Sequence, residues 1–169
     1  NIESFLQCFV NANMNTVLTF TSQNVGAHKY KRADRTIRYT LLWGMAGTAI
    51  LGVLIIIFRY PFLSLYTTSQ DVVDVAVRRL IPIVSLYALG IMMDTSASAL
   101  RGFGYSVEPM VITLIGSCVF RIIWLNTVFR IFPYYEVIII VWPVSWVVTF
   151  IANYIYYKKI RKSFPDEDI

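Results

Sequence analysis

Long runs without charged residues are the sequence feature that most limits what this chain can fold into. A helix needs about 20 mostly apolar residues to cross the hydrocarbon core of a membrane, which is roughly 30 Å thick. Residues 39–58 and 137–157 contain no Asp, Glu, Lys or Arg, and residues 80–100 and 109–129 contain one such residue each. Residues 4–27 are also uncharged, although Asn, Ser, Thr and Gln are frequent there. The sequence therefore predicts an all-α membrane protein with five transmembrane helices.

The composition argues against a soluble protein in which these runs are buried helices. Of the 169 residues, 57% are hydrophobic and 15% are charged, whereas soluble domains have about 45–50% apolar and about 25% charged residues. Five buried helices would leave too little polar surface to cover them. We predict that residues 1–162 form a partial transmembrane bundle and residues 163–169 a cytoplasmic tail, with spans at about 3–25, 35–60, 77–101, 109–130 and 136–158.

The positive charges are distributed unevenly between the two ends of these helices. If the helices alternate in direction, residues 28–38, 101–108 and 158–169 share one end, which holds ten of the 15 Lys and Arg residues. We call it the basic end. Because cytoplasmic loops of membrane proteins are rich in Lys and Arg, we place the basic end and the C-terminus in the cytoplasm, in a multi-pass protein of the cell (inner or plasma) membrane. The net charge of +5 then reports topology, and nucleic acid is not an expected partner.

Features that the sequence lacks narrow its interpretation further. The chain has no initiator Met, would begin outside the cell almost directly in a helix, and has an odd number of spans. We therefore expect part of a longer protein. Cys8 and Cys118 fall inside predicted helices, so neither a disulfide nor a metal site is indicated. No pattern typical of a catalytic triad, a metal site or a phosphate-binding loop occurs, and we do not expect an enzyme.

Two ionisable residues interrupt the apolar spans, and such residues are rare and functional by default. Asp94 lies roughly 10 Å from the basic end of its helix, and Arg121 roughly 18 Å from the same end of the next. An Arg side chain can bend back over several ångströms, so the two could pair. Two interpretations stay open: an ion pair that locks two helices, or a carboxylate that faces a water-filled cavity and exchanges a cation or proton. The helical face of Asp94 also carries Tyr87, Gly90, Ser98 and Arg101.

A stripe of polar residues runs along one face of the first span. Such a stripe lines an aqueous path or forms hydrogen bonds with neighbouring helices, and the sequence leaves both interpretations open. We predict that Gln7, Asn11 and Asn15 of this stripe line a cavity together with Tyr87 and Ser98. The complete stripe is Ser4, Gln7, Asn11, Asn15 and Ser22.

Two segments at the basic end resemble motifs of the multidrug and toxin extrusion (MATE) transporters. Residues 22–27 (Ser-Gln-Asn-Val-Gly-Ala), followed by Lys-Arg-Ala at residues 31–33, resemble the motif after the second helix of a bundle. Residues 98–106 (Ser-Ala-Leu-Arg-Gly-Phe-Gly-Tyr-Ser), followed by Pro109, resemble the Leu-Arg-Gly-x-Gly turn of the C-terminal bundle, and residues 120–124 continue the match. The cytoplasmic motif residues carried over are Gln23, Gly26, Arg101, Gly102 and Gly104; His28 stands where the family commonly has Gly.

The resemblance implies a twelve-helix transporter of two six-helix bundles, in which this chain would be helices eight to twelve. Its expected partners are the lipid bilayer, organic cation or drug substrates and the absent N-terminal bundle. It further implies an antiporter that exports organic cations and drugs by alternating access in exchange for Na⁺ or H⁺, the coupling ion, with no other cofactor. The family often has a carboxylate on the fourth helix of this bundle, where Asp94 lies. We therefore predict Asp94 as the cation-coupling residue and Arg121 as its charge partner.

Other function classes make different predictions. A lipid-linked oligosaccharide flippase of the same superfamily should have a strongly cationic cavity, whereas this chain has one Arg, Arg121, embedded in the interior of a span. In a non-transporting membrane scaffold subunit, the polar stripes would serve assembly alone. A membrane enzyme would need catalytic groups that the sequence does not offer.

Overall fold

A computed structural model describes residues 3–64, 70–132 and 134–165, and every regular element in these ranges is helical. A π-helix at Leu114–Val119 joins α5 to α6, so that residues 107–131 form one continuous helical segment. Each predicted span overlaps a helix, which confirms the all-α class. The helices are α1 (Glu3–Gly26), α2 (Tyr30–Ile57), α3 (Arg59–Ser64), α4 (Gln70–Gly102), α5 (Val107–Thr113), α6 (Phe120–Ile131) and α7 (Tyr135–Arg161).

The outer surface of the helices is apolar, as expected for a chain in a lipid bilayer. Among the described residues, Tyr30–Ile57, Val107–Ile131 and Val137–Arg161 are long and apolar enough to cross a membrane. Only 22%, 11% and 28% of their most apolar windows is buried within the chain, and Trp43 is 75% exposed. Soluble proteins rarely expose contiguous apolar surface of this extent, so the chain is a multi-pass membrane protein. That the more polar α1 and α4 also cross the membrane stays a prediction.

Helix α4 lies at the centre of the molecule and packs against α1, α2 and α7. Glycines on α2 allow the close approach of its neighbours. A Cβ atom added to Gly44 would lie 2.9 Å from the side chains of Asn13 and Ile91, and one added to Gly52 would lie 3.0 Å from Val84. Because lipid is as apolar as Leu, close packing of this kind rather than hydrophobic burial holds membrane helices together.

The basic segment between the first two spans is mostly helix, which corrects the predicted boundary. We expected the second span to begin near residue 35, but α2 begins at Tyr30. Lys and Arg are good helix formers, and hydropathy marks depth in the membrane rather than the end of a helix. The short connection is closed by two hydrogen bonds, from His28 N–H to the Val25 carbonyl (3.0 Å) and from Lys29 N–H to the Asn24 carbonyl (2.8 Å). These are the two bonds of a Schellman motif.

The first residues of the predicted tail pack against the rest of the chain. Residues 163–165 turn back after α7, and the Phe164 ring packs 5.0 Å from the Tyr30 ring and 5.3 Å from the Phe103 ring, measured between centroids. Apolar burial therefore holds the start of the predicted tail against the basic end. Residues 166–169 of that tail lie outside the described residues.

Candidate functional site

One face of α4, which carries Tyr87, Gly90 and Asp94, lies between α1 and α7. The Tyr87 hydroxyl donates to Oε1 of Gln7 on α1 over 2.7 Å. On the other side, the Tyr87 ring meets Trp146 of α7 edge-on with centroids 5.9 Å apart, and a Cβ atom on Gly90 would lie 3.6 Å from the same indole. Because Asp94 follows Gly90 by four residues, it lies one turn further along this face. We call it the Asp94 face.

The Asp94 carboxylate has no partner among the described residues. Asp94 is half-buried, and neither a hydrogen bond nor an ion pair reaches it from residues 3–64, 70–132 or 134–165. The ion pair found in these ranges joins Arg161 to Asp34. The charge that acts on Asp94 is Arg101, two helical turns along α4. A carboxyl group without a hydrogen-bond or ion-pair partner among the described residues is the main chemical feature of the Asp94 face.

Arg121 does not pair with Asp94, contrary to the predicted charge partnership. Its guanidinium carbon lies 3.9 Å from the ring centroid of Trp142, and its Nε donates to Ser145 Oγ over 3.0 Å. The reason is the packing of the helices, because the backbone of α6 packs against α7 and does not closely approach α4 in the described chain. The Trp142 ring and the Ser145 hydroxyl thus bind the Arg121 guanidinium. The Asp94 carboxylate has no ion-pair partner among the described residues.

The polar stripe of α1 is exposed along its length. Gln7, Asn11 and Asn15 all face away from the chain, opposite the buried side of α1 that includes Val10 and Val17. Gln7 connects the stripe to the Asp94 face, because its Nε2 donates to Asn11 Oδ1 over 3.3 Å while its Oε1 accepts from Tyr87. Among the described residues, hydrogen bonding to another helix therefore engages the stripe only at Gln7.

Ser98, the fifth predicted cavity residue, is 2% exposed and lies in the packed part of α4. Near the basic end α4 is enclosed on several sides by α1, α2 and α7, and residues 95–100 are all buried. Sharing a helical face with Asp94 was therefore not enough to place Ser98 on open surface. In the described chain it does not line a cavity with Gln7, Asn11 and Tyr87.

Asn13 belongs to this region and was not predicted. Its Nδ2 donates to Oγ1 of Thr95, the residue after Asp94, over 3.0 Å. It lies on the inward side of α1, where it interrupts an otherwise apolar row formed by Leu6, Val10 and Val17. A polar residue within an apolar helical row is the signal that could have identified it.

The motif residues lie together at the basic end. Gly102 ends α4 against α1, where an added Cβ atom would lie 2.6 Å from the Thr21 Cβ. Gly104 has a φ of +93°, and the Gly104 and Tyr105 N–H groups donate to the carbonyls of Arg101 (3.0 Å) and Leu100 (3.1 Å). This turn is the same Schellman motif as at the end of α1. In the α1 turn, the left-handed position is taken by His28, with a φ of 57°, rather than by Gly26.

Gly104→Ala and Gly26→Ala form a matched pair of tests for this geometry. A Cβ atom at either position would meet nothing within 4 Å, but only Gly104 has a positive φ. Gly104→Ala should therefore lower the free energy of unfolding by roughly 1–2 kcal/mol. Gly26 lies within α1, so Gly26→Ala should not lower the free energy of unfolding and should raise it by up to about 0.5–1 kcal/mol. Thermal unfolding in detergent measures both, and equal losses would contradict the role of the left-handed turn.

No group of three or more His, Cys, Asp or Glu side chains gathers in the described part of the chain.

Comparison with known proteins identifies the family. A sequence model of the MatE family matches residues 1–126, which include both motif turns, Asp94 and Arg121. The chain is 28% identical over 98 residues to "Probable multidrug resistance protein YoeA" of Bacillus subtilis (strain 168). The aligned segment covers 58% of this chain and 21% of that relative, so the match spans about a fifth of the relative's length. The chain belongs to the MatE family, whose members are membrane transporters and not enzymes.

Proposed function

We propose that this chain is part of a secondary active antiporter that exports organic cations, drugs among them, in exchange for Na⁺ or H⁺. The observation that carries the proposal is the Asp94 carboxylate, which has no partner among the described residues. Membership of the MatE family and the multidrug resistance in the name of the Bacillus subtilis relative support the same class of transporter.

The chemistry of the Asp94 face suits a site that alternates between two cations. A carboxylate at membrane depth is costly unless water, a proton or a cation meets it. The Tyr87 and Trp146 rings, which lie along the same face within about two helical turns of Asp94, offer aromatic surface that attracts an organic cation. Since one carboxylate neutralises one positive charge at a time, the coupling ion and the organic cation would compete for Asp94. This competition is the physical basis of antiport.

The exposed polar stripe of α1 indicates where the path would run. Gln7, Asn11 and Asn15 face away from the chain, and amide groups in contact with lipid would lose their hydrogen bonds. We infer that they face a water-filled cavity shared with an N-terminal bundle of the whole protein. Rocking of the two bundles about this cavity would give alternating access. The basic end lies in the cytoplasm in this arrangement.

Gradient-driven flux tests the function directly. The whole protein is placed in liposomes with a fluorescent organic cation, and a Na⁺ or H⁺ gradient is imposed across the membrane. We expect one of the two gradients to drive uptake of the organic cation against its own gradient. Flux that follows neither gradient would contradict antiport.

Water access to α1 distinguishes a transporter from a scaffold subunit. In a cysteine-free version of the whole protein, with Cys8 and Cys118 replaced by Ser, we expect Asn11→Cys and Asn15→Cys to react with a charged, water-soluble maleimide. The matched control is Ile50→Cys, on the 61% exposed apolar surface of α2, which should stay unreactive in lipid. A scaffold in which the stripe serves assembly would leave all three unreactive.

The oligosaccharide flippase alternative requires a strongly cationic cavity. Arg121 lies against Trp142 and Ser145 instead of the Asp94 face. The described groups on that face offer a carboxylate and aromatic rings, which suit cations better than a pyrophosphate.

A further inference from the structure

A cavity lies on another side of α4 from the Asp94 face. Neither Asp94 nor the polar stripe of α1 lines it. It has a volume of about 820 Å³ and opens between α2, α4 and α7 at the basic end. Its floor includes Thr95 and Ser96, and its walls include Ile37, Leu41 and Phe150. The backbones of α2 and α7 do not approach each other closely in the described chain. The cavity therefore separates two helices that are joined at its mouth by side chains alone.

The joining side chains form a small ionic cluster. Arg161 Nε lies 2.8 Å from Asp34 Oδ2, and the Tyr157 hydroxyl donates to Asp34 Oδ1. The Asp34 carboxylate of α2 is thus occupied on both oxygens by groups of α7. It neutralises one positive charge at the mouth.

The mouth of the cavity nevertheless keeps an excess of positive charge. Four basic residues line it (Arg38, Lys158, Arg161 and Lys162) against one acid, Asp34, which gives a net charge of +3 (four minus one). Arg38, Lys158 and Lys162 are exposed and form no ion pair with any described acid. Such a mouth repels an organic cation or Na⁺ and attracts an anion.

We propose that this cavity binds an anionic phospholipid from the membrane leaflet at the basic end. Its phosphate would lie among Arg38, Lys158 and Lys162, and an acyl chain would follow the apolar wall formed by Ile37, Leu41 and Phe150. Basic pockets between transmembrane helices bind acidic lipid headgroups in this way. The apolar wall and the position at the ends of the spans favour a lipid over a soluble phosphate. The bound lipid would bridge α2 and α7, which are otherwise joined at the cavity mouth by the contacts of Asp34 with Arg161 and Tyr157.

Two sets of charge-neutralising variants test the site in the whole protein. The first set combines Arg38→Gln, Lys158→Gln and Lys162→Gln at the cavity mouth. The matched control combines Lys29→Gln, Arg32→Gln and Arg35→Gln, which remove three charges from the same end outside the cavity. Native mass spectrometry in detergent measures binding of phosphatidylglycerol against phosphatidylcholine. We expect the first set to lose phosphatidylglycerol roughly fivefold per charge removed, and the control set to stay within about twofold of the parent.

Thermal unfolding supplies a second measurement that does not depend on the variants folding equally well. Added phosphatidylglycerol should raise the Tm of the parent and the control set, and should leave the Tm of the cavity set unchanged. Glycerol 3-phosphate should have no effect on any of them. Equal loss of lipid in both sets would overturn the proposal, because it would report only general attraction to the basic surface. Displacement of the lipid by glycerol 3-phosphate would also overturn it, since the site would then take a soluble phosphate.

Discussion

Asp94→Asn should abolish gradient-driven export of an organic cation while leaving the protein folded in the membrane. Asn keeps the size of the side chain and removes the charge. A hydrogen bond to a charged group is worth about 1.5–3 kcal/mol, so losing the carboxylate should lower the coupled flux tenfold or more. Because no described group pairs with Asp94, its neutralisation leaves no orphaned partner, and the yield of folded protein should not fall. Flux in liposomes and size-exclusion profiles in detergent measure the two quantities.

The matched control is Glu108→Gln, the same change of charge at the basic end of α5, away from the Asp94 face. It should keep both the flux and its dependence on the coupling ion. Any flux that remains in Asp94→Asn should no longer respond to the Na⁺ or H⁺ gradient. Normal gradient-driven flux in Asp94→Asn at normal expression would exclude Asp94 as the coupling carboxylate and leave the family assignment untouched.

The sequence predicted the positions of the helices well because lipid imposes a simple requirement on them. A span must be apolar over about 20 residues, and charges are rare enough within it that Asp94 and Arg121 stood out. Helix ends were harder to predict, since the turn before α2 depends on two backbone hydrogen bonds around His28 rather than on hydropathy. The π-helix between α5 and α6 has no hydropathy signal at all.

The partners of the predicted site residues could not be derived from helical periodicity. Depth in the membrane placed Arg121 within reach of Asp94, but depth does not say which helices are neighbours. Arg121 contacts Trp142 and Ser145 because α6 packs against α7. The same limit explains Ser98, whose face was read correctly but whose enclosure by three helices depends on tertiary packing.

The contact between Arg121 and Trp142 predicts a large and specific effect on stability. Trp142→Leu should lower the free energy of unfolding by about 2 kcal/mol, the size of a desolvated cation–π interaction. In an Arg121→Met background, Trp142→Leu should lower the free energy of unfolding much less, because the cation–π interaction is already absent. Ser145→Ala should cost about 0.6 kcal/mol, as is typical of hydrogen bonds between membrane helices. Unfolding of the whole protein in mixed micelles with SDS measures each single variant and the combination of Trp142→Leu with Arg121→Met.

Trp43→Leu is the control, because Trp43 is 75% exposed on the outer surface of α2. Its effect should be the same with or without Arg121. The combination of Asp94→Asn with Arg121→Gln should likewise be additive, since groups that share no contact contribute independently. If Trp142→Leu instead costs the same in both backgrounds while the Asp94 and Arg121 changes compensate each other, the guanidinium faces the carboxylate in the membrane. Asp94 and Arg121 would then form an ion pair, and the argument for a cation at the Asp94 carboxylate would fail.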